Sequence, residues 1–252
     1  MTRIARRETR AASLSVLIEP VGMWSRVAAR TSPEGLAWLR ETTSELFSRP
    51  AEIHVRFPMV SRKLGRVQLD PDAAPGDPHA WMLDDAARTL LLRALGDGVL
   101  DELEELYRYG DAAERRGLLR ALPHLPIGGQ AVWIVEDAIR TNDTSVIAAA
   151  LGPYATAHLS DAMYDQAVLK CAFVGVPLAP LHGLARVTAD GARMLAALVH
   201  ERVAAGRDVA PELWEVIDRH HPSVELAAIA EELNSPFADR RAAAERALEG
   251  RR

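Results

Sequence analysis

Helix start and stop signals recur along almost the whole chain, and strand signals are brief, which confines the fold to helices packed on helices. Ser32-Pro33-Glu34 supplies an N-cap, an N1 proline and an acidic first turn for a helix through about Phe47. Asp77-Pro78 offers the same opening for a helix through Leu95, stopped by Gly96. Shorter helices are expected at 99–109 and 111–122, then from Gly128-Gly129 to Arg140, and from an Asn142-Asp143-Thr144 cap to about Leu151. Segments 159–174, 189–205, 211–220 and 223–233 follow, and Pro236 opens a last helix to about Leu248. Alternation at Ile53–Phe57 and Arg66–Leu69 lacks a partner of matching length, so no sheet is predicted. The expected architecture is all-α, an irregular helical bundle or α-solenoid-like stack of about ten helices.

The prolines after Arg49-Pro50 (Pro58, Pro71, Pro75 and Pro78) predict a long loop over 49–79. Residues 1–30 read as a weakly structured arm. Its basic start at Arg3, Arg6, Arg7 and Arg10 precedes an apolar stretch too interrupted by Ser13, Ser15 and Glu19 for a signal peptide. The expectation is therefore an N-terminal arm at 1–30 and a single helical domain at 31–252.

The chain has 252 residues, 48% hydrophobic and 26% charged, with a net charge of −5 that gives no basic footprint for nucleic acid. No apolar run reaches the ~20 residues of a membrane span, so membrane insertion is not expected. The single Cys171, in an apolar run, fits a buried thiol in a reducing cytoplasm.

Of 30 Lys and Arg residues only Lys63 and Lys170 are lysine. Lys170 is the one strongly polar side chain between Ala167 and Leu178, so it must snorkel, pair with a carboxylate, or meet a ligand. Gln166 lies one turn earlier on the same face. Trp81, Asp84 and Arg88, at i, i+3 and i+7, share a helical face that reads as a pocket wall or as a packing Trp beside an ion pair. Arg140 at a helix junction offers a fork to carboxylate or phosphate, and Asn142 reads as a helix cap or a ligand contact. His200, beside Glu201 and Arg202, is a candidate general acid or base. No metal-ligand spacing, Walker A or G-x-S-x-G motif occurs, and neither a metal nor a cofactor is predicted.

Several spaced motifs resemble one family. They are Trp81-x-x-Asp84-x-x-Ala87-Arg88, Arg140-Thr141-Asn142, Tyr164-Asp165-Gln166-Ala167-Val168-Leu169-Lys170, Gly183-Leu184, His200-Glu201-Arg202, Gly206-Arg207 and Pro211-Glu212-Leu213-Trp214. Together they resemble the EboA family, named from a bacterial and algal biosynthetic gene cluster, over about 78–217 and more weakly over 32–69. Tyr164-Asp165 stands where that family typically has Trp-Asn, and Gly183-Leu184-Ala185 where it has Gly-Leu-Asp. The companions of that cluster imply a secondary-metabolite biosynthesis setting and a polar or phosphorylated cyclitol- or sugar-like intermediate. The resemblance implies that Trp81, Asp84, Arg88, Arg140, Asn142, Tyr164, Asp165 and Gln166 bind it, and Lys170 and His200 are the candidates for any transformation. The alternative is a non-catalytic helical scaffold or accessory protein for other enzymes of the same pathway.

Overall fold

The computed structural model describes residues 20–251, so most of the expected weakly structured arm at 1–30 lies outside the described residues. Among them are fourteen α-helices, several short 3-10 turns and no strand, only an isolated bridge between Gln68 and Met82. The fold is all-α. By its contacts the chain divides into two compact units, the first ending at Ala138 and the second beginning at Ile139.

The first unit contains α1 (Pro20–Ala28), α2 (Pro33–Ser48), α3 (Ile53–Leu64), α4 (Leu83–Ala94), α5 (Val99–Tyr109), α6 (Ala112–Ala121) and most of α7 (Val132–Ile139). Ser32 caps α2 by accepting from the Gly35 N–H, with Pro33 in the first turn. Asp111 and Glu114 form a reciprocal capping box at the start of α6.

Helix α4 is the axis of this unit. Every residue from Leu83 to Leu92 is buried, and α1, α2, α3 and α6 pack against it. A helix enclosed on all sides is ordinarily apolar all round. This one carries Asp84, Asp85, Arg88 and Thr89 inside, and its neighbours must supply their partners.

Three expectations need correction. The 49–79 segment is not one loop, because α3 occupies its first half. Ile53, Phe57, Val60 and Leu64 are buried at helical spacing, while Pro58 sits exposed on the solvent side, where its missing N–H is tolerable. The remaining stretch is pinned at both ends, the Leu69 N–H donating to Trp81 O and the Leu83 N–H to Val67 O. Asp77-Pro78 does not open α4. Asp77 accepts from the His79 N–H and makes a turn, and the helix starts only at Leu83. Residues 20–28 form α1, with Met23 and Val27 in the core, so the 1–30 segment is not all peripheral.

The second unit contains α8 (Thr144–Ala150), α9 (Pro153–His158), α10 (Asp161–Val174), α11 (Ala189–Ala204), α12 (Glu212–His220), α13 (Ser223–Glu231) and α14 (Ala238–Glu249). Ser160 caps α10, and Gly175 ends it in the left-handed region at φ 81°. Helix α11 is its centre, packed by α10, α12, α13 and α14. Glu212, at the start of α12, accepts from the Leu178 and Ala179 N–H groups and ties down the loop after α10.

Because α1 packs on α4 and buries Met23, Met23→Ala should destabilise the first unit by about 2–5 kcal/mol in denaturant unfolding. A change within about 0.5 kcal/mol, the range of ordinary surface substitutions, would show that α1 does not dock.

Candidate functional site

In the first unit, Trp81 is half-buried and precedes the first turn of α4, so of the predicted face only Asp84 and Arg88 share the helix. Asp84 and Arg88 are both 0% exposed. The Asp84 carboxylate accepts from Arg88 Nη1 at 2.8 Å and Ser61 Oγ at 2.7 Å, and Arg88 Nη2 donates to Ser61 at 2.9 Å. Next to it, Asp85 accepts from Arg120 Nη1 at 2.7 Å, Arg116 Nε at 2.9 Å and the Met82 N–H at 3.0 Å. Arg116 also reaches Asp84 at 3.5 Å, joining two carboxylates and three guanidiniums into one network. Arg120 donates further to Ala80 O and Pro78 O and lies over the Trp81 ring. Burial pulls the Arg120 pKa below its ordinary value, and Asp85 opposes that pull. Arg88 lies over Phe57, and its Nε is buried without a partner. The pair read from sequence as a pocket wall or an ordinary ion pair is thus interior, and its hydrogen bonds go to protein groups.

Gly117 makes this possible. A Cβ there would fall 2.9 Å from Arg88 Cδ and 3.5 Å from an Asp85 oxygen, so α6 can lie this close to α4 only as glycine. Asp85, Arg116 and Arg120 were not singled out from the sequence. The adjacent acids at 84–85 and the Arg pair at i,i+4 around a glycine were the available signal.

Trp81 also meets His124 edge-on at 6.1 Å. Burial, with Arg93 nearby, lowers the His124 imidazole to about 4.

In the second unit, two predicted residues come together. Lys170 Nζ donates to Asn142 Oδ1 at 2.7 Å. Asn142 is free to accept because Asp143, not Asn142, caps α8 through the Ser145 and Val146 N–H groups. Lys170 is half-buried and not enclosed in an internal cavity, and Arg140 and Asn142 are exposed. Gln166 faces outward one turn before Lys170 and approaches Met194 Sδ at 3.1 Å.

Tyr164 and Asp165 turn the other way. The Tyr164 hydroxyl donates to His182 O at 2.6 Å, and Arg186 covers its ring. Burial raises the Tyr164 pKa, against the pull of Arg186. Asp165 accepts from the N–H and the hydroxyl of Thr188, the N-cap of α11. A Cβ at Gly191 would lie 2.5 Å from Asp165 Cγ, so the carboxylate is seated against the bare first turn of α11. His200 stands 3.4 Å from Glu232, which Arg240 also holds at 2.9 Å. Cys171 is fully buried, and burial pushes its thiol up to about 12, which makes it unreactive. Among the described residues no group of three or more His, Cys, Asp or Glu side chains is placed to hold a metal ion.

A family model described as metabolite traffic protein EboA matches residues 22–218, which covers most of the chain, from α1 into α12. The chain belongs to the EboA family. The match starts inside α1, earlier than the motifs alone reached. No curated protein and no solved structure matches this chain. No described helix of this EboA protein is long and apolar enough to cross a membrane.

Two outcomes are expected. Gly117→Ala should cost about 1–3 kcal/mol in chemical denaturation, because the added methyl overpacks against a locked Arg88. For His124, the unfolded imidazole protonates near 6.5 and the folded one only near 4. Stability should therefore be full above the first value and fall as pH drops through that window, by up to about 1.4 kcal/mol per unit from this group. His124→Phe should flatten the fall in melting temperature across that range, and identical pH profiles would refute the assignment.

Proposed function

We propose that this EboA protein binds a polar, anion-bearing metabolite at the exposed junction where Lys170 meets Asn142, and serves its movement between partners. The observation that carries this reading is the 2.7 Å contact between two residues 28 positions apart in sequence. An ammonium has three donors, and Asn142 accepts from one, leaving the others for phosphate or carboxylate oxygens. Arg140, two residues from Asn142, is exposed and has no ion pair among the described residues, so its fork suits the same anion. Gln166, Lys170 and Phe173 fall at i, i+4 and i+7 on the outer face of α10, and Phe173 is 69% exposed. An aromatic ring there offers a platform for the apolar face of a sugar or cyclitol ring. The family description supports a metabolite role. The finer substrate, a phosphorylated cyclitol- or sugar-like intermediate, is part of the proposal, as is a setting in bacterial secondary metabolism. His200 is left out of the site because Glu232 engages it.

The scaffold alternative is favoured by the same exposed Phe173, which would then dock a pathway enzyme. Calorimetric titration with myo-inositol 1-phosphate separates the two. Wild type should bind, Lys170→Met should weaken binding at least about tenfold, and its melting temperature should stay within a few degrees of wild type. No binding by wild type, with loss of an enzyme partner in Phe173→Ser, would replace this reading by the scaffold.

A further inference from the structure

A cleft of about 510 Å³ lies in the first unit, lined by Trp38, Glu41, Thr42, Ser44, Glu45 and Ser48 of α2 and by Arg56 of α3. Its volume is in the ordinary range for small-molecule sites, ~300–1,000 Å³. Trp38, Glu41, Thr42 and Glu45 stand at i, i+3, i+4 and i+7, so one face of α2 builds most of the wall. The arm-and-loop expectation concealed it, because Arg56 becomes a wall residue only once α3 is a helix.

The charges in the cleft are unequally used. Glu45 accepts from Arg56 Nη2 at 2.9 Å and has Arg49 at 3.8 Å, so it is well compensated. Glu41 is exposed and has no ion-pair partner among the described residues. Thr42 is only 2% exposed, yet its hydroxyl has no hydrogen-bond partner among the described residues. Thr42 nonetheless lines the cleft, so the hydroxyl is available to what enters it. The Arg56 Nε is also buried and unpartnered in the same wall. A polar wall with an uncompensated carboxylate repels an anion. An indole face beside a carboxylate attracts an ammonium and stacks on a ring.

We infer that the α2–α3 cleft binds a small hydroxylated ring bearing an amine, of the amino-sugar or aminocyclitol class, with Trp38 beneath the ring, Glu41 on the ammonium and Thr42 on a ring hydroxyl. The site lies in the other unit from Lys170 and takes a cation in place of an anion. It does not depend on the reading given above.

The test is saturation-transfer NMR and calorimetry of the full chain with glucosamine, glucose and glucose 6-phosphate. Glucosamine should bind most tightly. Glu41→Gln, at an exposed position, should weaken glucosamine at least about tenfold and leave the melting temperature unchanged. Thr42→Val removes only an unpartnered hydroxyl, so it should weaken binding while stability stays level or rises. Lys170→Met should leave glucosamine binding unchanged, which separates this site from the other. Absence of glucosamine binding, equal affinity in wild type and Glu41→Gln, or tighter binding of glucose 6-phosphate would each overturn the inference.

Discussion

The first unit depends on pairing four buried charged side chains, Asp84, Asp85, Arg88 and Arg120, with the half-buried Arg116 closing the network. Helix α4 is enclosed on every side, yet it carries Asp84, Asp85 and Arg88 where only apolar residues are ordinarily accommodated. Desolvating such groups costs several kcal/mol each unless geometry and hydrogen bonding compensate. The compensation comes from α3 through Ser61 and from α6 through Arg116 and Arg120. Each of those contacts fixes a helix against α4, so the charges set the packing register as well as filling space. Gly117 is the steric counterpart of that requirement. Remove the network's partners and α4 retains an unpaired charge in an apolar interior.

The second unit solves a smaller version of the same problem. Asp165 is seated against the first turn of α11 by Thr188, with Gly191 leaving the room, and Tyr164 is held by His182 and Arg186. These inward contacts orient α10, and they leave Gln166, Lys170 and Phe173 on its outer face. The side chains available for a ligand are therefore those that the interior did not recruit.

Helix class and most helix positions were legible in the sequence, because a capping residue such as Ser32 acts locally and does what its chemistry predicts. α3 was not. Its alternating Ile53–Phe57 stretch and Pro58 spoke for strand or loop, and only tertiary burial of Ile53, Phe57, Val60 and Leu64 decides for helix. The division into two units was equally hidden, since no Gly/Pro-rich linker marks Ala138–Ile139. At the site, Lys170 and Asn142 were each visible by residue type, and their meeting required the fold. Asp84 and Arg88 were visible as a pair at i,i+4, but spacing carries no information on burial. A pocket wall and a buried ion network look alike in sequence, and partners at 61, 116 and 120 come from elements far away in the chain.

The account turns on Asp84 and Arg88 acting as a structural unit, which a double-mutant cycle of Asp84→Leu and Arg88→Met in chemical denaturation measures directly. Each single change should cost about 3–5 kcal/mol by leaving the other charge buried and unpaired. The double variant should cost less than their sum, with a coupling above about 1 kcal/mol. Single variants within about 0.5 kcal/mol of wild type, or a strictly additive double variant, would contradict it.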